Sequence, residues 1–156
     1  MADEVRKTLI KAQQGELDGV ETYLMLAQVV HNEDDVKAFK ELAADEGRHA
    51  AVFKNITGEV LKPNKTQACA VAVLYSLLGK KILYPLIARF EYAAIPGYEE
   101  LMKDYPKVES VKDDEKRHGD TLIGLLKNGQ FNDRPKFPYV CAVLAVICIA
   151  GLTRKK

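Results

Sequence analysis

The chain has 156 residues, of which 47% are hydrophobic, and this size and composition are typical of one domain with a sizeable core. Its formal net charge of +1 argues against a nucleic-acid-binding protein, which normally carries a strong basic excess. Cys69, Cys141 and Cys148 form no Cys-x-x-Cys pair, so neither a disulfide framework nor a thiolate metal site is indicated. The acidic start at residues 1–4 differs from a signal peptide, so we expect the globular part to be cytoplasmic.

The first half of the chain predicts a pair of long helices. From Asp3 to Val30 there is no proline, and apolar residues recur at spacings of three and four, the pattern of an amphipathic helix. Residues 31–35 indicate a turn and then the acidic first turn of a second helix, which should end at Thr57 because Gly58 follows. Since the connection is short, the two helices should lie antiparallel.

The second half predicts another pair of helices after a connecting segment. Residues 67–78 are apolar enough for a buried or interfacial helical segment, but the charges that follow make this region unsuited to span a bilayer. A third long helix is expected over 81–104, with kinks at Pro85 and Pro96, and a fourth over 106–127. The sequence therefore predicts an all-α fold, a four-helix bundle built from two antiparallel helix hairpins.

Two near-copies of an Asp-Glu-x-Arg-His motif, at 45–49 and 114–118, lie on the second and fourth predicted helices. Residues three apart share one face of a helix, so each copy can direct a carboxylate and an imidazole to one point. A single Glu-x-x-His is more often a solvated charged face, but its repetition with the same Asp and Arg favours a metal site. The four candidate ligands are Glu46, His49, Glu115 and His118.

Each predicted hairpin also places two acids at one height. Glu16 and Glu46 lie 15 residues on either side of His31, and Glu91 and Glu115 lie 12 residues on either side of Lys103, beside the second turn. A carboxylate inside a bundle is costly unless it is paired or bound to a metal. Glu16 and Glu91 are therefore further candidate ligands, the alternative for Glu16 being an exposed position on the outer face of its helix.

A tyrosine follows each of these two acids at the same interval. Tyr23 comes seven residues after Glu16, and Tyr98 comes seven residues after Glu91, which is two helical turns along the same stripe. We expect each tyrosine to donate its hydroxyl to a ligand carboxylate and to act as a catalytic proton donor. The alternative is that each ring only fills the core.

Over roughly residues 5–126 the chain resembles the rubrerythrin branch of the ferritin-like superfamily. The resemblance rests on Gly15-Glu16 with Tyr23, Glu91 with Tyr98, and the motifs at 45–49 and 114–118. It implies a ferritin-like four-helix bundle that holds two Fe ions, although Mn would accept the same ligands. By this resemblance the six metal ligands are Glu16, Glu46, His49, Glu91, Glu115 and His118.

Rubrerythrins reduce hydrogen peroxide to water, so the resemblance implies a non-haem di-iron oxidoreductase in oxidative-stress defence, expected as a homodimer. The sequence shows no rubredoxin domain with paired Cys-x-x-Cys motifs, so we expect an external electron donor such as a rubredoxin. Ala94 stands where typical rubrerythrins carry a second acid, which puts the associated iron movement in doubt. The alternatives are a dioxygen-dependent ferroxidase for iron storage or transport, a membrane-bound di-iron hydroxylase, and a non-enzymatic metal-binding bundle.

The C-terminal part of the chain differs from the bundle. We divide the sequence into the bundle at 1–129, a linker at 130–136 and a hydrophobic C-terminal helix at 137–156. Within that helix, residues 137–153 are 17 consecutive uncharged residues flanked by basic ones, long enough for about 25 Å of helix. Its apolar residues surround the helix, which favours a membrane anchor of unassigned orientation over a fifth core or subunit-interface helix.

Truncation after Asn132 should give a soluble protein that still binds two irons, because the bundle closes its own core without the tail. The full chain should partition with membranes and resist high-salt extraction, since each large apolar side chain gains roughly 1.5–3 kcal/mol on burial. Fractionation of both forms, followed by iron analysis, tests this. A full chain that stays soluble without detergent, together with a truncated one that loses its iron, would identify the tail as a core or interface helix.

Overall fold

The computed structural model describes residues 3–127, which form five α-helices joined by short connections. The helices are α1 (Asp3–Val29), α2 (Glu33–Thr57), α3 (Lys65–Leu78), α4 (Lys80–Leu101) and α5 (Val108–Leu125). The pairs α1–α2 and α4–α5 pack most extensively, as the predicted hairpins require, and α2 also packs against α5. The predicted all-α bundle is thus confirmed for this part of the chain. The predicted linker at 130–136 and hydrophobic helix at 137–156 lie outside the described residues.

Helix α2 is capped at both of its ends. The side chain of Asn32 accepts hydrogen bonds from the backbone amides of Asp34 and Asp35, at 2.9 and 3.2 Å, so it caps the N-terminus. Gly58 ends the helix with φ of 73°, a left-handed conformation that glycine adopts without a steric penalty. Its amide donates to the carbonyl of Lys54 at 2.8 Å. These caps fix where α2 begins and ends, and so they fix the position of the motif at 45–49 along the bundle axis.

The connecting helix α3 crosses from the end of α2 to the start of α4 and packs against α1 and α4. One face of α3 is buried, including Ala68, Ala72 and Tyr75, while Leu77 is exposed. The predicted helical segment at 67–78 is therefore present, with its start two residues earlier than expected. Helix α4 continues through Pro85 and Pro96, both of which lie inside it.

The core consists of two apolar clusters separated by a polar layer. The larger cluster includes Leu26, Phe39 and Tyr84 and lies towards the turn between α1 and α2. The smaller cluster includes Leu9 and Phe53 and lies towards the opposite end. Between them, all four long helices place acidic or imidazole side chains inside the bundle. Such a layer is costly in an apolar interior, so it requires a compensating interaction.

Within 3–127, no helix has both the length and the apolar character needed to cross a bilayer.

Replacing the N-cap Asn32 by Ala should lower the free energy of unfolding by about 1 kcal/mol, because two amides of the first turn of α2 lose their acceptor. Urea denaturation followed by circular dichroism measures the change. Asn55→Ala, at an exposed position inside α2, is the matched control and should be neutral or slightly stabilising. Equal losses in the two variants would show that the cap contributes nothing.

Candidate metal centre

The polar layer brings together the six side chains that the sequence proposed as ligands. α1 and α4 each contribute one acid, and α2 and α5 each contribute one acid and one imidazole. Five of them are buried, namely Glu16, Glu46, His49, Glu115 and His118. The sixth, Glu91, is partly buried, with 12% of its side chain exposed.

Four of these residues form a compact group. Glu46, His49, Glu115 and His118 each offer one ligand atom, and these atoms all lie within 4.8 Å of one another. Both members of each Glu-x-x-His motif point the same way because three residues along a helix bring a side chain back to nearly the same face. The packing of α2 against α5 then directs the two motifs towards each other.

The other two acids complete the group through the Nδ1 atoms of the imidazoles. His49 Nδ1 lies 3.2 Å from Glu16 Oε2 and 3.5 Å from Glu115 Oε1. His118 Nδ1 lies 3.1 Å from Glu46 Oε1 and 3.7 Å from Glu91 Oε2. Each imidazole thus faces one acid of its own hairpin and one acid of the other hairpin, so the arrangement has approximate twofold symmetry.

Two buried atoms of the group, Glu115 Oε1 and His118 Nδ1, lie close to other members of the group but make no hydrogen bond within residues 3–127. Buried polar atoms are almost always satisfied, so two orphans at one point mark a place where a ligand belongs. Carboxylate oxygens and imidazole nitrogens together suit divalent iron or manganese. The donor set therefore fits a metal centre.

The pKa values of the group show the electrostatic cost of burying several acids together. Burial, and then the charge of Glu16, raise the pKa of Glu46 well above its usual value. Burial also raises the pKa of Glu115 to about 9. Burial lowers the pKa of His49, but its interactions with the carboxylates of Glu115 and Glu16 outweigh burial and raise the pKa to about 10. Glu46, Glu115 and His49 therefore favour their protonated forms, and a metal ion would have to displace these protons.

Two aspartates hold the far sides of the imidazoles. His49 Nε2 lies 3.0 Å from Asp114 Oδ2, and His118 Nε2 lies 3.4 Å from Asp45 Oδ2. The aspartate of each motif thus contacts the histidine of the other motif. A carboxylate on the second nitrogen of a histidine fixes its orientation and leaves Nδ1 free to face the centre.

Arg117 joins these two aspartates, because its guanidinium donates to Asp45 and Asp114, each at 2.7 Å. In the sequence, the repeated Asp and Arg favoured a metal site, but neither residue could be given a role of its own. Their repetition could have indicated this role, since the same Asp and Arg accompany both Glu-x-x-His motifs. The copies are not equivalent, however, because Arg48 pairs with Asp45 alone.

The two tyrosines reach across the bundle. Tyr23 on α1 donates a hydrogen bond to Glu91 on α4, and Tyr98 on α4 donates one to Glu16 on α1. Burial, and then the charge of the facing acid, raise the pKa of both hydroxyls, so both stay protonated as donors. Each tyrosine therefore serves the acid of the other hairpin, although its place in the sequence follows the acid of its own helix.

Gly19 allows α1 to approach the centre closely. A Cβ atom at this position would lie 2.9 Å from Glu46 Oε2, closer than real Cβ contacts. At Gly15, one turn earlier, a Cβ atom would meet nothing within 4 Å. Glu46 thus occupies space that any other residue at position 19 would fill.

The fold and the site together define a class: a four-helix bundle with a carboxylate and histidine cluster able to hold metal. Within that class, the family model described as Rubrerythrin matches residues 7–126, and the chain belongs to the rubrerythrin family. It is also similar to the "Uncharacterized protein YhjR" of Bacillus subtilis (strain 168), with 31% identity over 67 residues. That match covers 40% of this chain and 46% of the relative, so it spans under half of either protein. No solved structure matches the chain significantly.

Gly19→Ala should weaken Fe²⁺ binding while leaving the fold intact, because the new methyl group displaces the end of the Glu46 side chain rather than any backbone. A shift of one candidate ligand should cost about ten- to a hundredfold in affinity. Competition titration with a chelator measures it, and thermal unfolding checks the fold. The control is Gly15→Ala, which has open space around it and should bind Fe²⁺ like the parent. Similar affinities in the two variants would refute the role of Gly19.

Proposed function

We propose that the chain is a non-haem di-iron oxidoreductase that reduces a peroxide with electrons from an external carrier protein such as a rubredoxin. The observation that carries this proposal is the convergence of four acids and two imidazoles in a buried layer, with two orphaned ligand atoms at its centre. The proposed ligands are Glu16, Glu46, His49, Glu91, Glu115 and His118.

Charge supports a dinuclear site. Four carboxylates provide four negative charges, and two Fe²⁺ ions would bring four positive ones, so the loaded centre is neutral between two apolar clusters. A single divalent ion would leave two uncompensated carboxylates in this layer. When bound, two irons supply two electrons, the number that cleavage of a peroxide O–O bond consumes.

The side chains around the ligands control orientation and protons. Asp45 and Asp114 hold the imidazoles through Nε2, so that Nδ1 faces the centre in both cases. Tyr23 and Tyr98 hold protons on hydroxyls directed at ligand carboxylates. Reduction of hydrogen peroxide to two waters consumes two protons with its two electrons, and these hydroxyls are the proposed donors.

Oxidation of Fe²⁺ by dioxygen would use the same six side chains, and manganese would accept the same donors. The oxidant therefore separates the peroxidase from the ferroxidase and hydroxylase alternatives. The proposals of a homodimer and of a membrane anchor at 137–153 rest on the sequence alone.

The full chain should bind two Fe²⁺ ions at saturation. When the Fe²⁺-loaded protein, prepared without oxygen, is mixed with each oxidant in a stopped-flow instrument, hydrogen peroxide should oxidise it much faster than dioxygen does. Glu46→Ala and Glu115→Ala should each abolish the fast phase, because each removes a proposed ligand from a buried group. Glu41→Ala, an exposed acid on the same helix as Glu46, is the matched control and should react like the parent.

One iron per saturated chain would refute the six-ligand assignment. Oxidation by dioxygen as fast as by peroxide would instead favour the ferroxidase or hydroxylase function.

A further inference from the structure

A cavity of about 560 Å³ leads from the surface to the candidate metal centre. It lies between α1 and α4, and α3 forms part of its wall. Its inner end is formed by acids of the centre, including Glu16, Glu46 and Glu91. The bundle is open here because α1 and α4 do not pack closely, whereas α2 and α5 do. The centre is therefore accessible from the α1–α4 side.

The walls of the cavity are apolar over most of their length. The side chains that line it from α3 and α4 include Val71, Leu74, Leu83, Leu86, Ile87 and Phe90. Three of these remain exposed where the cavity meets the surface, with 39% of Leu74, 40% of Leu86 and 68% of Phe90 accessible. Exposed apolar groups that rim a cavity mark a site of apolar contact.

This distribution restricts what the cavity can bind. Its volume is in the range of small-molecule sites, and its acidic groups are those of the centre at the inner end, while Thr22 and Gln67 add two uncharged polar side chains to the lining. Hydrogen peroxide forms hydrogen bonds at both of its oxygens, and it gains nothing from walls of leucine and phenylalanine. A molecule with an apolar body and one polar end satisfies both parts of the cavity.

We propose that the cavity is the substrate site for an organic hydroperoxide, R–O–OH with an apolar R group, whose hydroperoxide end lies at the acids and whose R group lies against α3 and α4. This inference rests on the proposed peroxidase function and names its substrate class. In the balanced reaction the O–O bond breaks, the terminal oxygen leaves as water, and the other oxygen remains in the alcohol R–OH. Two protons are consumed, and an external one-electron carrier protein supplies the two electrons in succession.

The product alcohol tests the site without turnover. The iron-loaded full chain is titrated anaerobically with 1-hexanol, the product of n-hexyl hydroperoxide, in an isothermal calorimeter, with methanol as the reference ligand. Hexanol should bind and methanol should not, because only hexanol can bury an alkyl chain.

Two cavity variants should weaken hexanol binding by at least about tenfold, a change typical of a poorly matched apolar pocket. Ala94→Phe fills the cavity beside Glu91, and Leu74→Gln places an amide in its wall on α3, a helix with no proposed ligand. The matched control is Ile123→Phe, an exposed position on α5 outside the cavity, which should bind hexanol like the parent. Both cavity variants should also lower kcat/KM for hexyl hydroperoxide relative to that for hydrogen peroxide.

The outcomes distinguish this inference from the proposed function. If the chain reduces hydrogen peroxide but binds no hexanol, the substrate class is wrong and the peroxidase function stands. If neither peroxide oxidises the centre, the peroxidase function fails and the substrate assignment fails with it. If the full chain is dimeric and binds no hexanol, we would conclude that a second copy of the chain covers Leu86 and Phe90. The cavity would then be part of a subunit interface and not a substrate site.

Discussion

The structure depends on the electrostatic cost of placing four carboxylates in one buried layer. Apolar clusters lie above and below that layer and its acids are mostly buried, so solvent stabilises their charges only weakly. The raised pKa values of Glu46 and Glu115 show this cost, since burial disfavours the charged forms of both acids. A bound cation would offset this cost, which is why we propose these acids as metal ligands.

The layer has two unlike sides. Between α2 and α5 it is closed by Asp45, Asp114 and Arg117, which hold the imidazoles from behind. Between α1 and α4 it opens into the cavity, whose walls are apolar. The closed side holds the two imidazoles in place, and the open side is the proposed substrate site. A bundle of four equally packed helices would provide rigidity but no route to the centre.

Much of this arrangement could be predicted from local sequence. Helical periodicity, the turn at 31–35 and the stop at Gly58 indicated the hairpin of α1 and α2, and equal counts on either side of its turn place Glu16 and Glu46 level. The helix α4 ends three residues before its predicted limit at 104, because the chain turns at 102–107 before α5 begins. Such errors at helix ends leave the ligand heights unchanged.

The sequence by itself determined the helices, their pairing into hairpins and the six side chains that share one height, because these follow from the fixed rise and period of an α-helix. Only the tertiary structure decided which groups touch across the hairpins. Tyr23 serves Glu91, and Asp114 serves His49, through contacts between residues 68 and 65 positions apart. The cavity is decided in the same way, since the gap between α1 and α4 depends on how the two hairpins dock, and no local pattern encodes that distance.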